Sequence, residues 1–355
     1  MNTENGYNPF DNGYGYGNFP PPPPKKPSLM KRVTGYFTKD SYIELSVASV
    51  TVGLALVLQR FLNYLFGAAL GVIPSLRELY VNNYLFQDAF GIVFSFVCVG
   101  FPFILAYAFL KKTGNVPISF EKPRKTKGIF LLMTAGLGVF YVGNILTNYF
   151  VNILSSMGIE LYSYELVASV GANVPKNAFE FILMTVGTAV VPALIEEFAF
   201  RGVVMGSLRR YGDWFSIIVA AVLFGLIHGN LMQMPFAIVA GIVLGYICVV
   251  TNSIWMSVIL HFINNFLSLL YSFGGEMLSE GRAMVFSLVF TYGIIAVGVI
   301  ALIGYAYCNP QFLRLYPSKV KNTTAKRCTA TYFLMPAMII PVLMLIVAIL
   351  KDIKF

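Results

Sequence analysis

The chain has 355 residues, of which 57% are hydrophobic and 12% charged, with a formal net charge of +9 and a mean hydropathy of +0.72. A soluble domain carries about 25% charged residues. Half that fraction, with apolar runs long enough to cross a bilayer, excludes a soluble globular enzyme and marks an integral membrane protein.

The cations sit mostly in short segments between the apolar runs. That is the positive-inside distribution, so the net charge implies no nucleic-acid partner. Residues 1–40 hold no apolar stretch of the kind a signal peptide needs. Asn, Gly, Tyr and Pro dominate there, and the run Pro20–Pro24 is followed by Lys25, Lys26, Lys31 and Arg32. Such a segment has too little apolar surface to fold and reads as a disordered cytoplasmic tail.

A span needs about 20 apolar residues. Candidate helices run over 43–73, 90–110, 129–154, 177–200, 214–229, 232–251, 254–273, 284–308 and 329–350. The expected fold is all-α, a polytopic transmembrane bundle of about eight or nine helices. Residues 41–174 supply its N-terminal helices, 175–272 a central core and 273–355 its C-terminal helices. Arg60 falls inside the first run and is expected to snorkel from a helix end.

Segment 111–127 holds six basic residues against one Glu, and segment 309–328 holds five and no acid. Arg201, Arg209 and Arg210 follow the fourth span. These three segments fall on one side after spans two, four and eight, together with the basic tail. Loop charge therefore places the N-terminus and these segments in the cytoplasm. The Asn322-Thr323-Thr324 sequon would then never meet the glycosylation machinery. The four cysteines, Cys98, Cys248, Cys308 and Cys328, form no CxxC pair, and neither a disulfide framework nor a thiolate metal site is expected.

The chain contains two histidines, His228 and His261. Both lie between Trp214 and Gly275, a stretch with no Asp, Glu, Lys or Arg. Just before it, the run Val190–Ile195 ends in Glu196-Glu197. An ionisable side chain at the centre of a membrane helix costs about 2.5–3.5 kcal/mol on insertion scales, so two adjacent carboxylates need compensation. Arg201 follows Glu197 at i+4, on the same helical face, and can pair with it. Glu196 lies about 100° round the helix and is left without that cation. An uncompensated carboxylate in apolar surroundings suits a general base.

A helical hairpin turning near Tyr211-Gly212 would put Glu197 and His228 at one level, ~20–25 Å from the turn. His261 lies nearer its own turn, at roughly 12–15 Å, and reaches that level only if the first hairpin projects further. Phe224 precedes His228 by four residues, and Asn265 follows His261 by four, so each pair shares a helical face. An imidazole beside an amide supplies the hydrogen-bond donors that an oxyanion requires.

Other intramembrane chemistries are excluded. There is no HExxH for a zinc metalloprotease, no GxSxG elbow, and no pair of aspartates inside two spans. No internal inverted repeat points to a transporter. What survives is a glutamate with two histidines. These residues resemble the three motifs of the CAAX-protease and bacteriocin-processing family. EExxxR appears as Glu196-Glu197-Phe198-Ala199-Phe200-Arg201, FxxxH as Phe224 to His228, and HxxxN as His261 to Asn265. The resemblance covers roughly residues 175–270.

The resemblance implies an intramembrane endopeptidase in which Glu196 and His228 activate water. His261 and Asn265 would hold the oxyanion, while Glu197 and Arg201, with Phe224, would support the site. Eukaryotic members trim prenylated CAAX proteins. Bacterial relatives process peptides, confer bacteriocin immunity or modulate other membrane proteins, so a non-proteolytic scaffold or immunity protein is the alternative. Glu196, His228 and His261 could ligate zinc and leave an open position. A carboxylate base and an oxyanion site need no metal, and metal-free chemistry is the expectation. The expected partners are a peptide or membrane-associated protein substrate and the lipid bilayer, and the expected location is a bacterial cell membrane.

Overall fold

The computed structural model describes residues 39–112, 120–124, 126–163, 174–320 and 323–354. The expected N-terminal tail, through residue 38, and Asn322 of the sequon lie outside them. The described residues form an all-α, multi-pass membrane bundle. Its helices are α1 (Lys39–Val72), α2 (Pro74–Asn82), α3 (Tyr84–Lys112), α4 (Ile129–Ser156), α5 (Ala178–Tyr211) and α6 (Asp213–Ile227). They continue as α7 (Met234–Thr251), α8 (Ile254–Met277), α9 (Glu280–Cys308), α10 (Ala325–Phe333) and α11 (Pro336–Lys351).

Among the described residues, seven helices are long and apolar enough to cross a membrane, or eight if α10 and α11, bent by 80°, make one span. The expected fifth span is the exception. α6 has 15 residues, about 22 Å of helix, short of the ~30 Å hydrocarbon core. It ends at His228 within the bundle. The expected ninth span is the bent pair, broken just before Pro336, which cannot continue the α10 hydrogen-bond ladder. α1 runs unbroken through Arg60, whose guanidinium lies beside the loop that follows α6. Its Nη2 lies 3.1 Å from where a Cβ on Gly229 would sit.

The loops gather at the two ends of the bundle. At one end Asp213 N–H donates to Tyr316 O (3.1 Å), Lys319 N–H to Arg210 O (2.9 Å), and Arg124 N–H to Thr251 O (3.0 Å). Tyr211 OH donates to Ser41 O there (2.8 Å). The described parts of the basic segments thus meet on one face. At the opposite end, the strands β1 (Glu160–Leu161) and β2 (Ile353–Lys354) pair antiparallel. Asp352 ties that end, accepting from Ser163 N–H (2.8 Å), Ser163 OH (2.9 Å) and Leu231 N–H (3.1 Å).

Inside a bilayer, helices gain little from hiding apolar surface, so close backbone approach through small residues carries much of the packing. α4 and α9 make the most extensive contact. It centres on Gly138 and Gly298, where a Cβ on Gly298 would lie 2.5 Å from Gly138 Cα. α7 meets α6 the same way, with a Cβ on Gly241 falling 2.8 Å from Ala221 Cα. Gly293, on the same helix as Gly298, has nothing within 4 Å of its would-be Cβ. Gly298→Leu should therefore destabilise the protein by about 1–3 kcal/mol, the cost of overpacking. Gly293→Leu should not. Thermal unfolding in detergent checks this, and equal melting temperatures for the two variants would contradict the packing argument.

Candidate active site

α5 carries the glutamates in a locally loosened helix. Two π-helical segments, Val186–Val190 and Phe198–Met205, flank the short α-helical stretch that contains Glu196 and Glu197. π-turns leave carbonyls free to take other partners and recur at functional sites. One such carbonyl, Thr188 O, accepts from Asn265 Nδ2 across the α5–α8 interface at 3.3 Å.

Glu197 is fully buried, and Arg201 is 2% exposed. Arg201 Nη1 lies 2.7 Å from Glu197 Oε1, while its Nη2 reaches Gly241 O on α7 at 3.4 Å. The guanidinium stacks over Phe224 of α6, 4.6 Å from the ring centroid, a favourable cation–π geometry. The pairing expected from the i+4 spacing is present. A second donor meets the same oxygen: His261 Nδ1, from α8, lies 2.9 Å from Glu197 Oε1. A carboxylate held by Arg201 only accepts, so His261 Nδ1 carries the proton. Its Nε2 then faces Glu196, 3.9 Å from Oε2.

His261 thus reaches the level of the glutamates despite its shorter distance from its own turn. The two turns are joined by Arg209 Nη1, which reaches Asn252 Oδ1 at 3.1 Å, so the long arginine side chain spans the offset between them. His228 is fixed differently. Its Nδ1 lies 2.8 Å from Phe224 O, and since a carbonyl only accepts, Nδ1–H is again the donor and Nε2 is left over. The Phe224 ring meets both imidazoles edge-on, with centroids 5.1 Å from His228 and 6.1 Å from His261.

Glu196, His228, His261 and Asn265 line one cavity of about 380 Å³, with Phe224 in its wall. Glu197 and Arg201 lie behind it. Among the described residues no hydrogen bond joins Glu196 to His228, and the imidazole nearest Glu196 belongs to His261. Nor do any three His, Cys, Asp or Glu side chains among the described residues converge to hold a metal ion.

Residues 178–267 match the family model described as type II CAAX prenyl endopeptidase Rce1-like. This segment is thus similar to the CAAX-protease and bacteriocin-processing family. The Bacillus subtilis (strain 168) protein named "Putative membrane peptidase YdiL" is 25% identical over 84 residues, which is 23% of this chain and 34% of that protein. The chain therefore matches about a third of that relative's length. No solved structure matches the chain. The family segment begins with α5 and ends in α8, so it includes every element that contributes the motif side chains.

Some cavity residues carry no motif signal. Ser268 and Ser272 follow His261 at i+7 and i+11, a stripe that helical spacing alone could have revealed. Gln233 and the Thr188 carbonyl are set by helix packing and leave no such trace. The same holds for Asp352, 121 positions from Leu231.

Truncating Arg201 tests the buried pair. Arg201→Ala leaves the Glu197 carboxylate without its cation and should cost about 3–5 kcal/mol. Arg201→Lys keeps the charge but loses the flat face on Phe224, and should fall between wild type and Arg201→Ala. The yield and melting temperature of folded protein report this. Wild-type stability in Arg201→Ala would contradict the supporting role.

Proposed function

We propose that the chain is an intramembrane endopeptidase that cleaves a peptide or membrane-associated protein with water activated by Glu196 and His228. The supporting observation is that three motifs from three separate helices converge on one cavity, inside the segment that matches a membrane-peptidase family.

Glu196 is the carboxylate left free to act as base. Its side chain is 21% exposed, while that of Glu197 is fully buried and bound to Arg201. A water between Glu196 and His228 Nε2 would lose its proton to Glu196 as its oxygen attacks the scissile carbonyl. The carbonyl oxygen becomes the oxyanion, and His261 and Asn265 are its donors. His261 donates through Nε2 only when doubly protonated, because Nδ1–H is committed to Glu197. The Asn265 amide has two N–H groups and spends one on Thr188 O, so the second remains. Collapse of the intermediate breaks the C–N bond, and the proton held by Glu196 passes to the leaving amine. No step is routed through a metal.

Glu196→Gln keeps the size and removes the basicity. In cleavage assays of membrane-tethered peptides by purified protein, kcat should fall by about 10²–10⁴ with KM little changed. His228→Ala should cost a similar factor, and the double variant should be little worse than either single, because residues acting as one unit are non-additive. The wild type should survive a strong chelator. Loss of activity with chelator and recovery on adding zinc would replace the metal-free mechanism. Near-wild-type turnover in Glu196→Gln would remove both mechanisms and leave the scaffold or immunity reading.

A further inference from the structure

The side chains on the basic-loop side of the cavity are buried, and those at its other side are exposed. Beyond the Glu197–Arg201–His261 layer, towards the basic loops, α5 is packed solid. Phe200, Val203, Val204, Met205 and Leu208 are each at most 1% exposed. From Glu197 to Leu208 that is ~16 Å of helix with no opening. Ala221 and Gly241 close the adjoining α6–α7 interface by backbone contact.

Towards the other end, the cavity rim is made of Thr188, Gln233, Ser268 and Ser272, all exposed. Ser268 and Ser272 lie ~10 and ~16 Å further along α8 than His261, away from the basic loops. Thr188 lies ~12 Å beyond Glu196 on α5, in the same direction. The rim thus leads down to Glu196 from the end where β1, β2 and Asp352 tie the bundle.

The chemistry of the rim fits an extended polypeptide. A peptide entering an apolar bundle must find partners for its N–H and C=O groups, each costly to bury unmet. Hydroxyls and amides supply donors and acceptors at the rim, and Phe140, Phe236 and Leu269 supply apolar wall for side chains. Among the residues lining the cavity, Glu196 is the one acid, and there is no Lys or Arg. An acidic side chain brought beside Glu196 would meet like charge, with no Lys or Arg in the lining to offset it.

We infer that the site takes an extended, uncharged segment of an exported or membrane-tethered polypeptide from the end of the bundle opposite the basic loops, the extracytoplasmic face. The inference rests on the peptidase reading for what happens to that segment, and on loop charge for which face is which.

Accessibility tests it without any need for activity. In a chain with Cys98, Cys248, Cys308 and Cys328 replaced, single cysteines are introduced as Ser268→Cys, Ser272→Cys and, among the basic loops, Val320→Cys. A membrane-impermeant thiol reagent is applied to intact cells and to inside-out vesicles. The expected result is labelling at 268 and 272 on intact cells and at 320 only in inside-out vesicles. Labelling of 268 and 272 from the same side as 320, or from neither side, would overturn the inference. An excess of an uncharged, aliphatic peptide should slow labelling at 268, and the same peptide with aspartates at its centre should not. Equal protection by both would overturn the substrate class. Absence of cleavage with these labelling results intact would instead count against the peptidase reading alone.

Discussion

The site is organised around one buried carboxylate. Glu197 has no solvent exposure and lies midway along a membrane-spanning helix, where an uncompensated charge costs several kcal/mol. Two donors meet its Oε1, Arg201 from one helical turn later and His261 from α8. Arg201 in turn touches Gly241 O on α7 and lies flat on Phe224 of α6. One charge thereby fixes the relative placement of four helices. It also decides which glutamate is available: with Glu197 pointing into this cluster, Glu196 is turned about 100° away, towards the cavity. A helix rotated by about 100° about its axis would bury Glu196 and turn Glu197 towards the cavity instead.

The backbone cooperates with that arrangement. Irregular backbone at membrane depth is tolerated where it is buried in protein or lines a cavity. The π-segments on either side of Glu196-Glu197 meet that condition, and the Thr188 carbonyl finds Asn265. α6 stops at His228, and the left-handed Gly229 (φ +68°) turns the chain out of the helix. A Cβ there would crowd the Arg60 guanidinium, at 3.1 Å. Asp352 then holds the loop at Leu231 from the far end of the chain. The histidine therefore sits on a short helix clamped at both ends.

Much of this was legible in the sequence, and the residues show why. Glu197 with Arg201, and Phe224 with His228, are i,i+4 pairs, and helical periodicity sets their proximity before any tertiary packing. The alternation of basic and acidic loops foretold which segments share an end of the bundle. Contacts between helices left no such trace. His261 and Glu197 are 64 positions apart, and nothing in their spacing says which nitrogen meets which oxygen. The shortness of α6 was already visible in the run 214–229, and the structure corrects only its count as a crossing. The neighbour of Arg60 left no trace either: the Gly229 turn meets it only once α1, α6 and α11 have packed.

The claim at the centre of this account is that Glu197 holds His261 through Nδ1–H, leaving Nε2 towards Glu196. With two histidines in the chain, ¹⁵N-histidine labelling gives a spectrum simple enough to read directly, with His228→Gln assigning the signals. Near neutral pH, the protonated, pyrrole-type ¹⁵N shift and its directly bonded proton should appear at Nδ1 of His261. A pyridine-type, unprotonated Nδ1 on His261 would show that Glu197 does not hold this ring, and the assignment of Glu196 as the free carboxylate would lose its structural basis.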